Sequence, residues 1–144
     1  MALLHPGNEV IIFKPYYGYH LSTILAVEAI PRTVSLQQPD WPLSMKDLEQ
    51  AITKRTKAIV VNIHGSPSDK VFSTQELEGI TEAARRHDLF VFRDKIYEYF
   101  VYDDRTHVSL ASFPNMIDRT VTISSYSKTF SITEWCIGHV LAAP

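Results

Sequence analysis

The sequence contains one cysteine, Cys136, in 144 residues. That excludes an internal disulfide framework and suits a reducing compartment. Excess charge is also missing. Fourteen Lys and Arg stand against sixteen Asp and Glu, for a formal charge of −2. A balance this even implies neither nucleic acid nor an anionic membrane as partner. No apolar run approaches membrane-spanning length, and the opening MALLHPG is too short and uncharged for a signal peptide. A cytoplasmic location is the resulting expectation. The six histidines show no metal-ligand spacing, so no metal is expected. Neither G-x-G-x-x-G nor a Walker loop occurs, which weighs against a doubly wound module for a nucleotide or other phosphate ligand.

What is present is ordinary globular material, 45% hydrophobic and 21% charged, enough for one domain that buries roughly two thirds of the surface its unfolded chain exposes. Val10-Ile11-Ile12-Phe13 reads as a strand ended by Pro15, and LSTILAVEAI as a helix running up to Pro31. TVSL reads as a second strand. Ser44 is placed to cap a helix that ends near Thr53, with Asp47 in its first turn and Leu43 and Leu48 as a staple. KAIVVNI is β-branched without alternation, the mark of a strand buried on both faces. Ser73 and Glu76 form a capping box, with Phe72 and Leu77 as its staple. Beyond them Leu77, Ile80, Ala83 and Ala84 line one helix face, and Arg85, Arg86 and His87 suit its C-terminus. LFVFR, TVTIS and IGHVLAA complete the strands. The alternation predicts an α/β fold, a mostly parallel sheet with helices on both faces.

In such sheets ligands bind beyond the carboxyl ends of the strands. The loops there are KPYYGYH, NIHGSPSDK, RDKIYEY and SSYSKTF. Together with PGNEVIIFKPYYGY, LEQAITKRTKAIVVN, KVFSTQELEGITEAARRHDLFVF, DKIYEYFVYDD, HVSLASFP and RTVTISSYSKTFSITEW-x-IG, they make the chain resemble the class I/II aminotransferases, pyridoxal-phosphate enzymes of fold type I, in the aspartate, aromatic and kynurenine-type branch. The resemblance runs in order along nearly the whole chain. It implies that residues 1–144 are one partial cofactor-binding large domain. It also implies amino acid and 2-oxo acid substrates, ping-pong transfer of an amino group, and a homo-oligomer.

Residue by residue, the resemblance makes Lys128 the Schiff-base lysine and proton shuttle; taken alone, it reads as a solvated lysine after a strand. Asp94 matches the carboxylate that pairs with the pyridine nitrogen and keeps the ring an electron sink; its other reading is a helix N-cap. Tyr97 matches the phenol that hydrogen-bonds the cofactor's phenolic oxygen, and otherwise packs among Tyr99, Phe100 and Tyr102. Tyr17 falls where an aromatic stacks on the ring, with Tyr16 and Tyr19 as rivals. Ser125, and less directly Ser127, match hydroxyl donors to the cofactor phosphate, or are strand-end hydroxyls. Ser66 stands where an asparagine touches the cofactor and the substrate carboxylate, with a shorter reach.

The departures fall on these same positions. Where the pattern has T-G-W-R-I-G, this chain has Thr133-Glu134-Trp135-Cys136-Ile137-Gly138. The thiol of Cys136 cannot supply an arginine's bidentate grip on phosphate, a loss on the order of 2–5 kcal/mol. Cys136 otherwise reads as a packing residue without a basic partner. Arg93 and Lys95 flank Asp94 and are expected to lower its pKa or draw it from the ring. The resemblance further implies a phosphate-cradling loop upstream of Met1, a small domain beyond Pro144 and residues from a second subunit. A weak or inactive aminotransferase is therefore expected, with a non-catalytic fragment or pseudoenzyme that serves folding or association as the alternative.

Overall fold

The unalternating apolar runs become the inner strands of a single sheet. The computed structural model describes residues 3–63, 65, 67–100, 102 and 108–144. The strands are β1 (Glu9–Lys14), β2 (Ile30–Ser35), β3 (Thr56–Asn62), β4 (Phe90–Asp94), β5 (Thr120–Ser125) and β6 (Gly138–Leu141). The helices are α1 (Gly18–Ala26), α2 (Met45–Ala51), α3 (Thr74–Arg86) and the single turn α4 (Tyr126–Thr129). Strand order is β2-β1-β3-β4-β5-β6. The first five strands run parallel, and β6 returns antiparallel along β5. The predicted mostly parallel α/β fold is therefore the observed one.

Successive side chains on a strand face opposite sides, so the sheet has two cores. On one face Ile11, Ile59, Val61 and Val91 pack with Leu48 of α2 and Leu77 of α3. On the other, Val10, Ile12 and Ala58 pack under Ile24 of α1. Each fully buried aliphatic side chain contributes about 1.5–3 kcal/mol. The first face is closed by two helices. The second is covered by α1 on the β2-β1-β3 side, leaving Phe92 half-buried and Ile123 exposed.

The ends of α1 and β2 differ from the sequence reading. The helix stops at Ala26 rather than running to Pro31. Ala29 N–H bonds back to Ile24 O at 3.1 Å, and Glu28 takes a left-handed φ of 57°. This is the six-to-one closure that satisfies the last carbonyls of a helix. Ile30 N–H then bonds to Asn8 O at 2.8 Å and opens the ladder with β1. Pro31 is tolerated inside β2 because that strand is at the sheet edge, where a missing N–H leaves no partner unsatisfied. α2 ends at Ala51, slightly before the expected Thr53.

The helix starts match the reading closely. Ser44 accepts from Asp47 N–H at 3.2 Å. Ser73 accepts from Glu76 N–H at 3.2 Å while the Glu76 carboxylate accepts from Ser73 N–H at 2.7 Å. Glu76 also accepts from Lys70 Nζ at 2.7 Å and from Leu43 N–H at 2.8 Å, so one carboxylate ties three segments together. Burial pushes its pKa up, but the bonds from Lys70, Ser73 and Leu43 outweigh burial and hold it below the ordinary 4.5. At the amino end of β1, Glu9 is 1% exposed. It accepts from Thr53 Oγ1 at 2.6 Å and Arg55 Nη2 at 2.8 Å. The Thr53 bond, with Arg55 and Arg32, holds its carboxyl below the ordinary range against the opposing push of burial.

A capping substitution and a network substitution should therefore separate. Ser73→Ala is expected to cost about 1 kcal/mol. Glu76→Ala is expected to cost about 3–5 kcal/mol, because Lys70 keeps a buried charge without its partner. Both are read from urea unfolding at pH 7. Because the folded-state pKa of Glu76 is lowered, its contribution is present above the unfolded carboxylate value and lost as pH falls through the folded one. The gap between wild type and Glu76→Ala should shrink over that acid interval.

Candidate functional site

Parallel strands send their carboxyl ends to one edge of the sheet. β1 ends there in the Pro15–Tyr17 turn that starts α1, β4 ends in Asp94, and β5 ends in Ser125 and runs directly into α4. Asp94 pairs in register with Ile123 of β5 and with Asn62 of β3. Lys95 N–H extends the ladder to Ile123 O at 2.8 Å.

Asp94 is 8% exposed. Its Oδ2 lies 3.0 Å from His20 Nε2, and its Oδ1 accepts from Ile96 N–H at 3.2 Å. A carboxylate only accepts, so His20 carries its proton on Nε2 in this pair. The second bond leads the chain after β4 into a turn and not a helix, so the helix N-cap reading of Asp94 does not hold. Tyr17 precedes His20 by three residues at the start of α1, a spacing that places both on one side of the helix. Their rings meet edge to face with centroids 5.6 Å apart. Tyr17, His20 and Ile24 form one wall of a cleft of about 370 Å³, and Phe92, Asp94 and Ile123 form the floor. The cleft is mostly hydrocarbon, with one carboxylate at the strand edge. Of the three neighbouring tyrosines, Tyr17 is the one that lines it. Tyr19 is 71% exposed, and Tyr16 lines separate hollows on the Leu36 side of the β1 end.

A second cleft of about 450 Å³ adjoins the first at Ile123. Ser125, Ser127, Thr133, Cys136 and His139 line it. Ser125 caps α4, accepting from Ser127 N–H at 3.1 Å. β6 closes against β5 here because Gly138 has no side chain. A Cβ on it would lie 2.8 Å from Ser124 O, closer than backbone can yield.

The sequence-predicted residues are thus placed at one edge but not all in one cleft. Tyr17 and Asp94 share the apolar cleft, and Ser125 lines the adjoining one. Lys128 is exposed on α4, five residues past the register partner of Asp94. Tyr97 is half-buried in the turn after β4, its ring edge-on to Phe100 at 5.8 Å. Ser66 lies outside the described residues. The expected influence of Arg93 and Lys95 on Asp94 is corrected. Arg93 is in register with Val61, on the face opposite Asp94. Burial lowers its pKa to about 10, with Glu98 opposing, so it stays charged at neutral pH. Lys95 pairs with Glu98. The partner of Asp94 is His20, which the sequence reading noted only as one of six histidines without metal-ligand spacing. Its signal was the i, i+3 spacing from Tyr17, in a loop already marked.

Among the described residues no group of three or more His, Cys, Asp or Glu is placed to hold a metal ion, and no helix is long and apolar enough to cross a membrane. At its ring end the site suits a flat, protonatable heteroaromatic. Asp94 is fixed by two bonds, has acceptor capacity left, and sits in an apolar slot beside an aromatic ring. The second cleft does not suit a phosphate in the same way, since among the described residues its lining carries hydroxyls and a thiol but neither lysine nor arginine.

Known proteins match over nearly the whole chain. It is 38% identical to human kynurenine–oxoglutarate transaminase 1 over 151 residues, spanning 97% of this chain and 36% of that protein. It is 37% identical to the aspartate aminotransferase of Pyrococcus abyssi over 142 residues, spanning 98% and 36%. The fold superposes on N-succinyldiaminopimelate aminotransferase from Mycobacterium tuberculosis with a TM-score of 0.95 at 36% identity, covering 98% of this chain and 37% of that one. The chain therefore spans about a third of the length of the relatives it matches. The family profile for aminotransferase class I and II matches residues 1–144, and the chain belongs to that pyridoxal-phosphate-dependent family.

Proposed function

We propose that the chain forms the ring-binding core of an aminotransferase that exchanges an amino group between an amino acid and a 2-oxo acid. The observation that supports this best is the His20–Asp94 pair at 3.0 Å, set in an apolar cleft with the Tyr17 ring beside it. A carboxylate so buried is costly unless it is hydrogen-bonded. His20 supplies one bond and the Ile96 backbone another, and a protonated ring nitrogen is the donor that would use its remaining capacity. In this reading Asp94 holds that proton on pyridoxal 5′-phosphate, Tyr17 covers the ring, and Tyr97 supplies a phenol near it. Lys128 Nζ is the amine that holds the cofactor and later carries a proton for the substrate. When bound, the cofactor supplies the electron sink that the amino-group transfer needs. Residues 1–144 act here as a single partial large domain. No arginine is assigned to the substrate carboxylate, so this chain by itself is expected to turn over weakly or not at all.

A second reading, association without catalysis, is favoured by the exposed apolar side chains around β6. Phe130 is 63% exposed, Trp135 70%, Val140 62% and Leu141 57%. Surface of this kind marks a contact face, and we place a homo-oligomer interface there.

Three measurements test these proposals. Incubation with pyridoxal 5′-phosphate, borohydride reduction and peptide mapping should label Lys128 selectively, and Lys128→Ala should remove the label. Label spread evenly over surface lysines would defeat the assignment. Asp94→Ala should weaken ring binding about ten- to a hundredfold, the weight of a charge-assisted hydrogen bond. His20→Ala should weaken it less, since the carboxylate remains. Sedimentation velocity should show self-association that rises with concentration, and a monomer across the whole range would count against the contact face.

A further inference from the structure

The two adjoining clefts are chemically unequal, and the difference bears on which form of a pyridine ligand this chain recognises. A phosphate monoester carries about −1.5 to −2 charges near neutral pH, and its recognition calls for cations or uncommitted N–H and O–H donors. Among the described residues the second cleft supplies few. Ser125 Oγ accepts from Ser127 N–H, lies 2.7 Å from Ser127 Oγ, and has Ile137 O within 3.2 Å for its proton. Thr133 Oγ1 donates to Ser127 O at 3.2 Å. The Cys136 thiol points back to Thr133 O at 3.8 Å. His139 lies against the Tyr126 ring, and its buried Nδ1, without a hydrogen-bond partner, is the exception. α4 is one turn long, too short to offer a helix dipole. From Thr120 to Pro144 the sequence holds one cation, Lys128, and one acid, Glu134.

We propose that this chain recognises its ligand by the ring alone, binding a substituted pyridine with near-equal affinity whether or not it carries a phosphate ester. The inference rests on the reading above that the Asp94 cleft takes the ring. It adds that the hydroxyl-lined cleft beyond Ile123 gives no selectivity for the dianion. Cys136 is exposed, lines that cleft and has a left-handed φ of 51°. A longer basic side chain there would meet solvent, not core.

The test titrates the whole chain with 4′-deoxypyridoxine and with its 5′-phosphate, followed by tyrosine and tryptophan fluorescence. Neither ligand has an aldehyde, so surface lysines contribute no imines. The two dissociation constants are expected to agree within about threefold, with a ratio insensitive to salt. Cys136→Arg, with Cys136→Lys as a second variant, should tighten the phosphate ester about tenfold or more and leave the unphosphorylated ligand unchanged. A wild-type preference of about thirtyfold or more for the phosphate overturns the inference while leaving the ring site standing. So do two folded variants that leave the ratio unmoved. Binding of neither ligand, with a cooperative thermal melt showing a folded chain, overturns the ring site and the inference together.

Discussion

Parallel pairing is the constraint on which the site depends. A parallel strand must be followed by a crossover before the next can pair, so every parallel strand here finishes at the same edge. Residues far apart in sequence are brought together there without any local signal between them. His20 and Asp94 are 74 positions apart, yet lie at hydrogen-bond distance. The register of β4 against β5 sets Asp94 opposite Ile123, and Ile123 joins the two clefts. A slip of one residue would turn Asp94 to the face of α2 and α3, into hydrocarbon.

The unequal covering of the two faces does the rest. α2 and α3 close one side over a continuous core, and their amphipathic faces are spent in doing so. α1 covers only part of the other side, because its closure at Glu28 returns the chain to β2 after nine helical residues. What remains uncovered is a strip of apolar floor with a carboxylate at its end. That geometry admits a flat ligand, since apolar walls with a few fixed polar groups are what small-molecule sites need.

The ionised groups divide in the same way. Glu9, at the amino ends of the strands, is closed off by Thr53 and Arg55. Glu76, at the start of α3, is met by Lys70 and two backbone N–H groups. Both stabilise the fold through lowered pKa values. Asp94 has a neutral or protonatable imidazole and one backbone N–H, which leaves it able to accept from a further donor.

Local chemistry was legible in the sequence wherever a few adjacent residues decide the outcome. The Ser73–Glu76 box, the Ser44 cap, the buried β-branched runs and the amphipathic face of α3 all follow from hydrogen-bond accounting and side-chain periodicity within one segment. The four loops beyond the carboxyl ends were legible for the same reason. Only the tertiary structure decided that His20 serves Asp94, that Arg93 turns to the opposite face while Lys95 is taken by Glu98, and that Tyr17 rather than Tyr16 or Tyr19 lines the cleft. It also decided that the serines by Lys128 face a cleft lined by neither lysine nor arginine among the described residues. Each of these depends on which strand lies beside which, in what register. That choice is made by the burial of whole faces, and no short stretch of sequence carries it.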